Sequence, residues 1–274
     1  MFRGQADAEW PLLPSAWRGS LSTLKARLQK AVPPFLKQRA RNLLIDGLGT
    51  LDAATIAARR FELALHCSVE CHAVAQFIDL ADAMGLQVPE APEHWWPPAD
   101  HPHANVWRSG PAFGLAQHHG IPTRLLDWSL NPLKAAYFAA HDALDREPSD
   151  LAVWALYAPL ERRRAESNDT SHPKHHIVFV RHSRAHNRYL HAQDGVFTLV
   201  RAANHHFLQT GEWPRTENIV SQRFRKLMLP SSEARELLRL LWAEGISGPH
   251  LRPTYDQCAS TLRQLWHDGG SPAL

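Results

Sequence analysis

The segment LAQHHGIPTRLLDWSLNPLKAAYFAA, Leu115 to Ala140, constrains this chain more than any other. It is apolar enough to belong to a core. Yet it carries two adjacent His, a Thr-Arg pair, an Asp-Trp and an Asn-Pro. Buried polar groups cost free energy unless hydrogen-bonded, and buried charges unless paired. A polar pocket built into a core, or a hydrogen-bond network that fixes a turn, would each account for them. Pro111 to His119 reads as a short helix stopped by Gly120, and Pro122 biases Ile121 away from helix. GIPTRLLDWS is then a turn leading into an extended piece. There Thr123, Leu125 and Asp127 share one face, with Arg124, Leu126 and Trp128 on the other. Asn131-Pro132 opens the next helix, Asn as N-cap and Pro at N1. Leu133, Ala136, Tyr137, Ala140 and Leu144 form its apolar face.

Around this segment the pattern changes once along the chain. Phe2-Arg3 predicts a strand with almost no lead-in, either very short or continuing a start that lies upstream. EWPLLPSAWRGS is an extended segment and turn. Helical spacing from Leu21 to Leu44 is broken at Pro33-Pro34, giving two helices. Ala53 to Met84 is the clearest helix, with Val74, Phe77, Ile78 and Ala81 on one face and Gly85 as its stop. Pro89 to His103 is a loop pinned by Trp95-Trp96. Leu151–Tyr157, His176–Val180, Gly195–Val200 and Asn218–Leu229 are β-rich and predict strands. Helices return from Ser231-Ser232-Glu233 to near Gly245. A last one carries a capping box of Thr254 and Gln257. The order predicts an α+β fold: a mixed or antiparallel sheet flanked by helices, with a helical N-terminal half. A single domain over 1–274 is expected, with a helical insertion at about 41–110 and a C-terminal helical extension at about 230–274.

Composition excludes more than it assigns. The 274 residues are 44% hydrophobic and 21% charged, with formal net charge +3. That is ordinary for a globular chain and permits a nucleic-acid or nucleotide partner without requiring one. Glu161-Arg162-Arg163-Arg164 is the tight basic cluster and reads as a solvated loop. Three Cys make no disulfide framework; Cys67 and Cys71 share a helix face and read as small apolar groups. With no signal-like start and no spanning apolar run, a cytoplasmic protein without a membrane partner is expected.

Motifs for common chemistries are missing from the sequence. There is no GxSxG, no GxxxxGK[ST], no GxGxxG after a strand, no HExxH and no CxxC. The His pairs 118-119, 175-176 and 205-206 are adjacent, and adjacent side chains diverge, so no metal is expected. A metal-dependent nuclease or hydrolase using His118, His119 and Asp127 ranks last for that reason. Gly195 suits a tight turn or a close backbone approach before its strand. Asp194 beside it reads as part of a plain turn.

Three blocks together resemble the FRG domain, a family named for a Phe/Tyr-Arg-Gly motif near its N-terminus and associated with bacterial and phage genomes and defence-like contexts. They are FRGQADAEWPLLPSAWR (Phe2–Arg18), LAQHHGIPTRLLDWSLNPLKAAYFA (Leu115–Ala139) and QDGVF (Gln193–Phe197). The arrangement is also similar to ADP-ribosyltransferases, which bind NAD in a cleft of a split sheet. Those enzymes use a His or Arg from an early strand, a central Ser/Thr or aromatic segment, and a Glu or Gln from a late strand. The resemblance implies NAD as substrate, with Arg3, Asp127 and Gln193 catalytic. Arg3 would orient the nicotinamide ribose or a phosphate, and Gln193 would contact a ribose hydroxyl. Trp128 or Tyr137 would stack on the nicotinamide, and Thr123 or Ser129 would bind its amide. Gln117, His118, His119, Arg124 and Asn131 complete the implied binding set. No Glu stands at Gln193, so a transferase, a glycohydrolase and a binding scaffold all remain open. A non-catalytic nucleic-acid or nucleotide-binding module is the competing reading, and a nucleic-acid or protein acceptor is left unassigned.

Overall fold

The computed structural model describes residues 1–30, 40, 51–89, 110–146, 148–157, 177–184, 187–219 and 221–267. The expected Pro33-Pro34 break, the Trp95-Trp96 loop and the Glu161–Arg164 cluster lie outside the described residues. Six strands form one sheet: β1 (Phe2–Gln5), β2 (Leu126–Ser129), β3 (Asp150–Leu156), β4 (Ile177–Val180), β5 (Gly195–Val200) and β6 (Phe224–Pro230). Their order is β4-β5-β2-β1-β3-β6, and every pairing among the described residues is antiparallel. The strand at Phe2-Arg3 is therefore real and central. Phe2 to Gln5 lie opposite Ala155 to Ala152 of β3.

The described helices are α1 (Ser22–Lys30), α2 (Ala53–Ala83), α3 (Pro111–His118), α4 (Pro132–Leu144), α5 (Arg188–Ala192), α6 (Ala203–Thr210), α7 (Thr216–Ile219), α8 (Ala234–Ala243), α9 (Gly248–Leu251) and α10 (Tyr255–His267). The fold is α+β, with helices leading the N-terminal half. None of the described helices is long and apolar enough to cross a membrane. α2 starts at Asp52, whose carboxylate accepts from the Thr55 N–H at 2.8 Å. It ends where Gly85 turns to φ +71° and the Leu86 N–H reaches back to the Ala81 carbonyl, a Gly C′ stop. Its middle is buried on most of its circumference, Leu63 to Leu65 and Cys67 to Cys71 included. There it packs with α3, β4 and β5 around Cys71, Val74, Phe113, Leu125 and Leu199.

α4 lies against β1 with unusually little between them. A Cβ on Gly4 would stand 2.0 Å from the Ala135 carbonyl oxygen and 2.7 Å from the Ala139 nitrogen. Gly4 and the small face of α4 thus allow backbone-to-backbone contact, which fixes the height of β1 over the helix.

Two stretches depart from the sequence pattern. Asn218–Leu229, expected as one strand, divides into the end of α7, a 3-10 turn at Ser221–Arg223, and β6. The loop after β1 claims the backbone here: the Thr216 N–H donates to the Leu12 carbonyl at 3.1 Å, and the Leu12 N–H donates to the Glu217 carboxylate at 3.0 Å. The second departure is α6, where Ala203, Phe207 and Leu208 are buried and Gly211 at φ +82° ends the helix. Its face is too short to stand out beside the His205-His206 doublet.

Candidate functional site

β1 and β2 share a single rung, Phe2 opposite Ser129. Beyond it the ladder stops and the two strands part. The Arg3 side chain fills the break: Nη1 donates to the Asp127 carbonyl at 2.9 Å and lies 2.7 Å from Asp127 Oδ2. A cleft of about 550 Å³ opens at this split, within the range of small-ligand sites. Residues from the first strand to the last helix line it, among them Arg3, Gln117, Asp127, Gln193, Arg252 and Gln257.

Asp127 stands at the centre. Its side chain is 57% exposed towards the cleft, whereas that of Arg3 is only 11% exposed. Gln117 Nε2 donates to Asp127 Oδ1 at 3.2 Å. Recession among protein atoms disfavours the ionised carboxylate. The charge and hydrogen bond of Arg3, with the Gln117 hydrogen bond, outweigh it and hold Asp127 below the usual carboxylate range. Asp127 is therefore an anion at neutral pH, fixed on one side and open on the other. Arg3 Nε is buried and has no acceptor among the described residues, a spare donor in this group.

The remaining expected residues divide between the cleft and its supports. His118 and His119 line the cleft. Burial and then the neighbouring His119 push His118 down to about 4, against the attraction of Asp127 and with the repulsion of Arg252. Burial also lowers His119. His118 is consequently neutral at pH 7, with its ring centroid 5.1 Å from that of Tyr189. Gln193 ends α5 and lines the cleft, its Nε2 donating to the Leu251 carbonyl at 3.3 Å. Asp194 takes a positive φ of 49° and is bridged by Lys134 at 2.7 Å and Arg184 at 3.5 Å, so it ties the turn. Gly195 permits close approach, since a Cβ there would stand 2.4 Å from Leu190 Cδ1.

Five expected binding residues act as supports. Thr123 is fully buried and donates to Gln117 Oε1 at 2.8 Å, orienting the amide that reaches Asp127. Arg124 points away from the cleft: it is 0% exposed and clasps Glu70 of α2 through Nε and Nη2 at 2.8–3.0 Å, with Nη1 on Asn204. A fully buried guanidinium goes where a buried carboxylate can neutralise it, and Asp127 lies on the other side of the strand path. Trp128 borders the cleft, but its indole is buried, donates to Thr198 Oγ1 at 2.9 Å and packs on Phe224. Its ring is thus unavailable for stacking on a ligand. Asn131 caps α4 by accepting from the Leu133 N–H at 2.9 Å. Tyr137 is buried against His141 and Phe138. Ser129 also lines the cleft, yet its hydroxyl donates to the Gln193 carbonyl at 2.7 Å and accepts from the Asn131 N–H.

The sequence reading missed the opposite wall. Arg252, Thr254 and Gln257 come from the C-terminal segment, and Tyr189 from α5. Thr254 and Gln257 are legible in the sequence only as a helix cap, with the Gln257 N–H on Thr254 Oγ1 at 3.1 Å, and nothing local marks any of the four as cleft residues, because they reach the cleft only through the tertiary fold. Among the described residues no group of three or more His, Cys, Asp or Glu is arranged to hold a metal ion.

Comparison with known proteins fits this picture in the middle of the chain. No curated protein and no solved structure was found to match. Residues 81–148 match the family model of the FRG domain, a span that holds α3, β2, α4 and hence Gln117, His118 and Asp127. The chain contains an FRG domain.

Proposed function

We propose that the protein consumes NAD, as an ADP-ribosyltransferase or NAD glycohydrolase that serves as a toxin or defence effector. The observation that carries this reading is the convergence of Arg3, Asp127 and Gln193, from an early, a middle and a late part of the chain, on one cleft at a split in the sheet. Asp127 also supplies the carboxylate for which no Glu stands at Gln193, since the neighbouring Asp194 is tied up by Lys134 and Arg184. In the proposed step the C1′–N bond to nicotinamide breaks and its electron pair leaves with the ring. Positive charge develops on the ribose. Asp127, ionised and fixed in advance by Arg3 and Gln117, stabilises that charge without reorganising. Gln193 and Gln117 offer amide groups to ribose hydroxyls. Water or an acceptor side chain then bonds to C1′ and releases its proton to solvent.

Nicotinamide release from NAD by the purified protein tests the reading. Asp127→Asn keeps the shape and removes the charge. It is expected to slow release by about 10²-fold or more, the scale for losing one pre-organised electrostatic group. Release no faster than that of Arg3→Ala would remove the proposal.

A further inference from the structure

The wall facing the sheet carries a charge that the proposed bond-breaking does not use. α9 ends at Leu251, which is fully buried and whose carbonyl accepts from Gln193 Nε2. Arg252 follows at once, its backbone held by an N–H bond to the Gly248 carbonyl at 2.7 Å and by the Thr254 N–H on its own carbonyl at 2.8 Å. The main chain is thus pinned beside Gln193 while the side chain is exposed to the cleft. Its guanidinium carbon lies 5.6 Å from the centroid of the Phe138 ring, which lines the same cleft. That contact holds the cation without neutralising it. Among the described residues no carboxylate forms an ion pair with Arg252.

The other guanidinium of the cleft is already engaged. Arg3 is matched by Asp127. Asp142 also lines the cleft, with its Oδ1 3.2 Å from His141 Nδ1. Arg18 is held below its ordinary value by burial and then by repulsion from Arg3, against the pull of Asp127, and does not line the cleft. With His118 neutral, two guanidiniums, Arg3 and Arg252, and two carboxylates, Asp127 and Asp142, line the cleft, and Arg252 is the guanidinium without an ion-pair partner among the described residues. A guanidinium presents forked donors that match phosphate oxygens two at a time.

We propose that Arg252, presented by the C-terminal segment, binds a diphosphate group in this cleft. The inference rests on the nucleotide reading above and names the residue that would recognise the ligand's charged middle. It also makes the segment from Arg252 to Gln257 part of the binding site, although it lies outside the span that matches the FRG family model. Arg252 is a binding residue here and takes no part in bond breaking.

Titration calorimetry of the full chain with ADP and with adenosine, which differ by the diphosphate, tests it. The unmodified protein should bind ADP more tightly than adenosine. Arg252→Ala should weaken ADP by about 10-fold or more, since a charge-assisted phosphate contact reaches the 1.4 kcal/mol that a factor of ten represents. Adenosine should be unaffected and Arg252→Lys should recover part of the loss. Equal ADP affinity in Arg252→Ala, or no preference for ADP over adenosine in the unmodified chain, would overturn the inference. The two proposals fail separately. ADP binding through Arg252 without nicotinamide release removes only the bond-breaking reading. Nicotinamide release indifferent to Arg252→Ala removes only this one.

Discussion

Replacing Glu70 by Ala removes the partner of the most deeply buried charge in the described structure and should loosen the support on which the cleft is built. Arg124 is 0% exposed and Glu70 is 2% exposed. Glu70 accepts from the Arg124 backbone N–H at 2.8 Å as well as from Nε and Nη2. Without Glu70 the guanidinium keeps Asn204 Oδ1 at 3.1 Å and Cys67 Sγ at 3.6 Å, neither of them a countercharge. Breaking a buried pair from one side costs roughly 3–5 kcal/mol. That is a large share of a typical domain stability of about 5–15 kcal/mol. Removing both charges is a different perturbation. In Arg124→Met/Glu70→Leu no ion is stranded; what remains is the backbone N–H of position 124 without an acceptor, a loss that Glu70→Ala shares, and Asn204 Oδ1 without its donor, each about 1–3 kcal/mol. The double variant should therefore be more stable than Glu70→Ala alone. Urea unfolding at pH 7 measures both, with an unchanged m-value marking a change in stability and not in compactness. A Glu70→Ala cost below about 1 kcal/mol, or a double variant as unstable as the sum of its singles, would refute the reasoning that places an obligatory ion pair here.

Two further outcomes follow from single positions. Gly4→Ala drives a Cβ into the backbone of α4, with atoms at 2.0 and 2.7 Å that cannot rotate away. Its thermal midpoint should fall by the equivalent of about 1–3 kcal/mol or more; Gly195→Ala, whose one close clash is with the movable Leu190 Cδ1 and which meets backbone only at an ordinary 3.4 Å, should fall less, and equal losses would contradict the packing argument. His118 titrates at about 4 when folded, against an ordinary 6.5 when unfolded. The unfolded chain binds more protons between those values, so this residue's contribution is fully present above about pH 6.5 and is lost as pH falls towards 4. The urea midpoint should drop less between pH 7 and pH 4.5 in His118→Asn than in the unmodified chain; equal drops would mean that His118 is not the group responsible.

The local devices were legible in the chain's own residues. Asn131-Pro132 starts a helix, Gly85 stops one, and Gly195–Val200 extends as a strand, because capping, steric limits and side-chain period act over a few neighbouring residues. The sequence also marked Leu115–Ala140 as the place where polar groups meet the core. Their division of labour was set when distant segments packed around them. Arg124 and Asp127 stand three residues apart in one short extended segment, yet one is clasped by α2 in the core and the other faces the cleft beside Arg3. Alternation put them on opposite faces without saying which face is wet, since a buried leucine stands on each, Leu125 beside Asp127 and Leu126 beside Arg124. Trp128 likewise turned its ring to Thr198 and Phe224, a choice set by β5 and β6 far along the chain. Arg252 entered the cleft from the last helices, with no pattern to announce it. Contacts between distant segments depend on how their surfaces fit and pair after the chain has closed on itself, and that free energy is not written in any local spacing.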